Sequence, residues 1–161
     1  MTETLIQLAP VVVGGVLATM GGAAAQYITH YFSQERERVK LLHDKAELLI
    51  RMIYCHRDYV TRCHDHLVLG EKEVKTADPL DEMQTLARLY FPSVAKEEVV
   101  LIETVQPMFA YMHKHRLARM KDADHWRMDP DGQEFKKLYG EYGQASNRYI
   151  KAILDLVPRK M

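Results

Sequence analysis

The chain has 161 residues, the length of one compact domain, and it can still bury a core if about thirty of them lie in a membrane. Lysine plus arginine and aspartate plus glutamate number 22 each. No global field therefore draws the protein to nucleic acid or to an acidic surface, and any anion binding must come from a local cluster.

From Thr4 to Gln34 there is no Asp, Glu, Lys or Arg, and Leu8 to Ala25 is almost wholly apolar or small. A helix of about 20 residues crosses the ~30 Å hydrocarbon layer, so residues 1–34 are expected to hold one transmembrane helix. Tyr27, Tyr31 and Phe32 suit the headgroup layer at its end. Beyond them stand Arg36, Arg38 and Lys40, against only Glu3 at the other end. The positive-inside rule then puts the N-terminus outside and residues 35–161 in the cytoplasm. Two other readings are weaker. A signal peptide cleaved near Ala23, Ala24 and Ala25 would need a basic n-region, and Glu3 stands there instead. A buried core helix is seldom this long without charge.

Between Ala23 and Leu69 there is no Gly or Pro, so the helix is expected to continue past the membrane. Alternating steps of three and four from Val39 give Leu42, Ala46, Leu49, Ile53, His56, Val60, Cys63 and Leu67, a heptad seam with one strongly polar member. In the same phase backwards it meets Ala25, Gly21, Ala18 and Gly14. Small residues so spaced let helix backbones approach closely in lipid, which makes homo-oligomerisation through Gly14, Ala18, Gly21 and Ala25 the expectation. The seam equally suits packing against the chain's own later helices. His56 reads either as a register-setting polar residue or as a hydrogen-bonded core histidine.

Gly70 stands at a C′ position, and residues 71–77 form a polar loop. Asp78 and Pro79 supply an N-cap and first helical residue for a second helix, whose apolar face is Leu80, Met83, Leu86 or Ala87, and Tyr90, and which Pro92 stops. Ser93 is placed to cap a third helix with a stripe of Val99, Ile102, Phe109, Met112 and Met120, kinked near Glu103 by Pro107. Asp129 and Pro130 repeat the start signal after a loop. Phe135, Leu138, Tyr142, Ala145, Tyr149, Ala152 and Leu156 line the last helix. No strand pattern competes. The expected fold is all-α, a transmembrane helix continuous with a cytosolic up-and-down bundle.

Chemistry is sparse. Cys55 and Cys63 lie roughly 12 Å apart along one helix, beyond disulfide reach, which points to reduced thiols. His56 and Cys63 share a face but sit two turns apart, too far to chelate one zinc without distortion, so no metal is expected. The cysteine–histidine pairs lie on a helix and not on an exposed turn beside anion-stabilising amides. Phosphate-loop, dinucleotide, zincin and nucleophile-elbow motifs are absent, and neither an enzyme nor a cofactor is expected. The one charge asymmetry ends the third helix: Lys114, His115, Arg116, Arg119 and Lys121, with no acid between Thr104 and Met120. Arg116 and Arg119 lie on neighbouring turns and can share a phosphate, and Trp126 in the following loop can stack on a base. The alternative is a solvated face at a helix C-terminus, where cations favour the dipole.

The Leu89–Tyr90–Phe91–Pro92 turn, with one N-terminal span and a long charged helix, resembles small bacterial membrane proteins, some associated with phage defence. The layout is similar to the membrane effectors of type III CRISPR systems. That resemblance implies a cyclic oligonucleotide second messenger bound across subunits and a change in membrane integrity. The leading expectation is an oligomeric membrane effector that senses a phosphate-bearing ligand in antiviral defence, with no duplex nucleic acid as partner. A membrane adaptor for a protein partner and a histidine-based enzyme are its rivals.

Overall fold

The computed structural model describes the backbone of residues 2–71, 73–122 and 132–158, and side chains within these ranges at positions 14, 15 and 17 onward. Every regular element among them is helical: α1 (Thr2–His64), a π-helical turn (Asp65–Leu69), α2 (Leu80–Tyr90), a 3₁₀ turn (Pro92–Val94), α3 (Ala95–Lys121) and α4 (Gln133–Leu156). The protein is all-α. The chain divides into two units, Met1–Leu41 and Leu42–Met161, with the boundary inside α1.

In the first unit, Leu17, Met20, Tyr27, Ile28, Tyr31 and Phe32 are all exposed. The hydroxyls of Thr19 and Thr29 donate to the carbonyls of Gly15 (3.0 Å) and Ala25 (2.8 Å), one turn back on the same helix. Among the described residues no helix is long and apolar enough to cross a membrane. The most apolar part of the uncharged run, residues 5–13 with Val16, lies outside those whose side chains are described.

The second unit holds the core. Ala46, Leu49, Ile53, His56, Val60 and Cys63 are buried at the three-four spacing the sequence predicts, because that period keeps one stripe of a helix facing its neighbours. The π-helical turn that continues α1 ends on a left-handed residue. Gly70 has φ +80°, and its N–H and that of Glu71 bond back to the carbonyls of His66 and Asp65, a geometry that a residue with a Cβ resists. The last turn widens to a π-helix, a feature the spacing of apolar residues does not reveal.

In α2, Met83 and Ala87 are buried, with Leu80, Leu86 and Tyr90 packed against the core. α2 begins one residue later than expected, at Leu80 with Pro79 as its flanking residue, and the Asp78 carboxylate accepts the Leu80 N–H at 2.9 Å. The α3 stripe differs from expectation. Its buried residues are Glu98, Leu101, Val105, Met108, Tyr111 and Met112. Val99 and Met120 are exposed. Taking Leu101, Val105, Met108 and Met112 as the phase accounts for the shift, and it carries Glu98 inward. Ser93 caps nothing; it lies within the 3₁₀ turn that Pro92 opens, and the residue before α3 is Val94, with no side-chain cap. Pro107 stays inside an uninterrupted α3 on its exposed side. In α4, Tyr142, Ala145 and Tyr149 are buried as predicted, but Ile153 and not Leu156 closes the stripe. Asp129 and Pro130 fall outside the described residues, and α4 follows Gly132 at φ +56°.

Candidate functional site

The expected phosphate cluster occupies the last turns of α3, which pack against the π-helical end of α1. Lys114, Arg116 and Lys121 are exposed, and His115 is half-buried with its ring 4.2 Å from that of Tyr111. Arg119 turns inward, where its Nη1 donates to the Val68 carbonyl at 3.3 Å and its guanidinium lies over Gly70. Arg119 thus satisfies one of the carbonyls that a helix end leaves unpaired. Arg116 and Arg119 do not form a preset clamp, since one faces solvent and the other caps α1. Trp126 lies outside the described residues.

Behind that cluster a ladder of rings joins three helices. His64 stacks on Phe135 of α4 at 3.8 Å, and Phe135 lies 5.9 Å from Tyr111 of α3. The His64 Nδ1 also meets the Asp65 carboxylate at 3.1 Å. A change at the basic end of α3 is therefore in packing contact with the ends of α1 and α4.

The small-residue stripe of Gly14, Ala18, Gly21 and Ala25, expected to mediate oligomerisation, is exposed along the first unit, and Cβ atoms built on Gly14 or Gly21 would meet nothing within 4 Å. Room for close approach is present along the helix.

A second polar site sits deep in the bundle. His56 is fully buried, and its Nδ1 lies 2.6 Å from the Tyr142 hydroxyl. Its Nε2 has no hydrogen-bond partner and stands 3.6 Å from the Asp78 carboxylate. The reading of His56 as a hydrogen-bonded core histidine holds. Burial pushes the His56 imidazole down, and the nearby Asp78 carboxylate only partly offsets this. Burial likewise raises the Tyr142 hydroxyl, pushes Tyr59 up to about 12, and raises the Cys63 thiol. These groups keep their protons. Both cysteines are free, and Cys63 is buried against Tyr59. A buried, protonated thiol beside a half-buried phenol is a poor nucleophile. Among the described residues no group of three or more His, Cys, Asp or Glu side chains is placed to hold a metal ion.

Two polar features escape the sequence pattern. Glu98 is buried, with the mostly exposed Arg88 guanidinium 3.7 Å away; burial raises its carboxyl above the usual range. Between α3 and α4, a groove of about 340 Å³ is lined by Lys96, Glu97, Val100, Arg148, Lys151 and Asp155. Its mixed charge over an apolar floor was illegible because its residues come from two helices and follow no spacing. Compared with known protein families, curated proteins and solved structures, the chain matches none.

Proposed function

We propose that this chain is an oligomeric, membrane-anchored effector whose helical domain senses a phosphate-bearing ligand, in its sharpest form a cyclic oligonucleotide of antiviral defence. The observation that carries the anchor is the exposure of large apolar side chains in the first unit, Leu17 at 65%, Met20 at 66% and Tyr27 at 73%. They belong to a stretch with no ionisable Asp, Glu, Lys or Arg from Thr4 to Gln34. Such a surface requires cover from lipid or from other copies of the helix. The back-bonded hydroxyls of Thr19 and Thr29 fit the same setting, because a polar group in hydrocarbon needs an internal acceptor. Arg36, Arg38 and Lys40 beyond that stretch favour a helical domain on the cytoplasmic side of the inner membrane.

For sensing, the exposed Lys114, Arg116 and Lys121 supply the first encounter with phosphate. Arg119 supplies the response. A phosphate that draws its guanidinium away from Val68 leaves the end of α1 uncapped, so the ligand prefers the arrangement in which α3 and α1 part. That difference in affinity is what shifts a population. A second reading, an adaptor for an acidic protein segment, is favoured by Leu117 and Met120, which stand exposed among the same cations.

The test is expression in bacteria with separation of membranes and chemical crosslinking. Wild type is expected in the alkali-resistant membrane pellet with a ladder of crosslinked species. Replacing Gly14 and Gly21 with Leu should erase the ladder while leaving the pellet unchanged. With cyclic oligonucleotides supplied, membrane potential should fall in wild type but not when Lys114, Arg116 and Lys121 are replaced by Ala. Recovery in the soluble fraction rejects the anchor. Loss of potential that ignores the triple variant rejects the ligand face, and a stoichiometric acidic partner captured without any nucleotide response moves the reading to the adaptor.

A further inference from the structure

In the first unit the polar residues of the uncharged stretch are not scattered. Alternating steps of four and three from Gly15 give Thr19, Gly22, Gln26, Thr29 and Ser33, a period that keeps residues on one side of a helix. All six are exposed, and an open furrow runs along Gly22, Gln26, Thr29 and Ser33. From Gly15 to Ser33 the helix makes about five turns and rises about 27 Å, close to the ~30 Å of hydrocarbon in a bilayer. The same steps continue to Glu37 and Lys40, so charge enters the line only beyond that length. Near Ser33 the line broadens, where the Gln34 amide donates to the His30 Nε2 at 3.0 Å.

The other faces of the helix follow from the same geometry, since each residue turns it by about 100°. One position before Gly15, Thr19, Gly22 and Gln26 stand Gly14, Ala18, Gly21 and Ala25, the small-residue seam. Two positions before Thr19, Gly22, Thr29 and Ser33 stand Leu17, Met20, Tyr27 and Tyr31, on the side opposite the line and all exposed. The apolar face suits lipid. Polar side chains within a membrane turn instead to a bundle interior or a water-filled cavity, because hydrocarbon offers them no partner. Taking the first unit as a membrane anchor, we propose that its copies pack through the seam with the polar line inward, enclosing a water-lined path for small ions that Gln26 closes at rest. Gln26 has the longest side chain on the line. Its amide carries both donors and an acceptor, so the amides of neighbouring copies can bond to one another across the path.

A helix with one polar side can also lie flat in the membrane surface. Such helices carry Lys and Arg on the polar side to meet headgroup phosphates, and none occurs from Thr4 to Gln34. The line consists instead of glycine, hydroxyl and amide groups. The Thr19 and Thr29 hydroxyls donate to carbonyls of their own helix, and their oxygens can still accept from water. Side chains this short also let helices approach one another, which a charged interfacial face would oppose.

The experiment places single cysteines in the full chain, in a Cys55→Ser background because Cys55 is exposed whereas Cys63 is buried. A membrane-impermeant cationic methanethiosulfonate is applied to bacterial membranes from either side. Thr19→Cys and Ser33→Cys are expected to react about tenfold faster than Leu17→Cys and Tyr31→Cys at matching depths, Thr19→Cys from the outer side and Ser33→Cys from the cytoplasmic side. In liposomes of phosphatidylethanolamine and phosphatidylglycerol, Gln26→Ala should lose a trapped potassium gradient that wild type holds. Equal rates on the two faces of an alkali-resistant protein overturn the path and leave the anchor standing. Reaction of both line positions from one side overturns it in favour of a helix lying on the surface, and a gradient that Gln26→Ala still holds overturns the closure. Release of the chain from the membrane by alkali removes the anchor, and the path with it.

Discussion

Gly70 illustrates how much one position constrains. Its φ of +80° lies in the left-handed region, and a Cβ built on it would run into the Arg119 guanidinium. Gly70→Ala combines a backbone cost of about 1–2 kcal/mol with displacement of the Arg119 cap from Val68. Arg119→Ala loses the cap alone. In urea titrations the first is expected to lower stability by more than the second, and the double variant to fall short of their sum, since both act on one contact. Gly70 was legible as a helix terminator, because a glycine after a long helix-forming run suits a left-handed position. The arginine that lies on it was not, because its 49-residue separation follows no local period. The same holds for His56. Its place on an apolar stripe made it a core residue, whereas Asp78 showed only its capping role; that the two face each other is a consequence of tertiary packing.

At the scale of elements, periodicity succeeded where a helix has a single apolar stripe and failed where it has two. α1 from Ala46 to Cys63 and α4 from Tyr142 to Tyr149 bury the predicted residues. α3 offers apolar residues on two neighbouring phases, Val99 with Ile102 and Leu101 with Val105, and the phase that buries more also takes in Glu98. Sequence alone favours the charge-free phase, so a buried carboxylate is the feature most easily missed. Pro107 sits on the exposed side of this helix, where it removes an N–H that would otherwise bond the Glu103 carbonyl. Pro107→Ala restores that donor without disturbing the core. A gain of up to about 3 kcal/mol is expected, read as a higher urea midpoint with an unchanged slope; a lower midpoint would mean that the φ fixed by proline outweighs the lost donor.

For the whole molecule, the distribution of buried residues separates two kinds of stabilisation. The core runs from Ala46 to Ile153, and all of it lies in the second unit. His43 at the start of that unit donates its Nε2–H to the Pro158 carbonyl at 2.8 Å, so even the unit's two described ends are joined to each other. The first unit, in contrast, has exposed apolar side chains along its described length. If its stability comes from lipid and from other copies, removing it should leave the bundle's folding intact. A fragment of residues 42–161 is therefore expected to unfold in one cooperative step and to stay monomeric at sedimentation equilibrium. The full chain should require detergent and self-associate. A fragment that is molten, with helical far-ultraviolet but no near-ultraviolet dichroism, would show instead that residues 1–41 complete the core, and a soluble monomeric full chain would show that their exposed apolar surface has no call for a membrane.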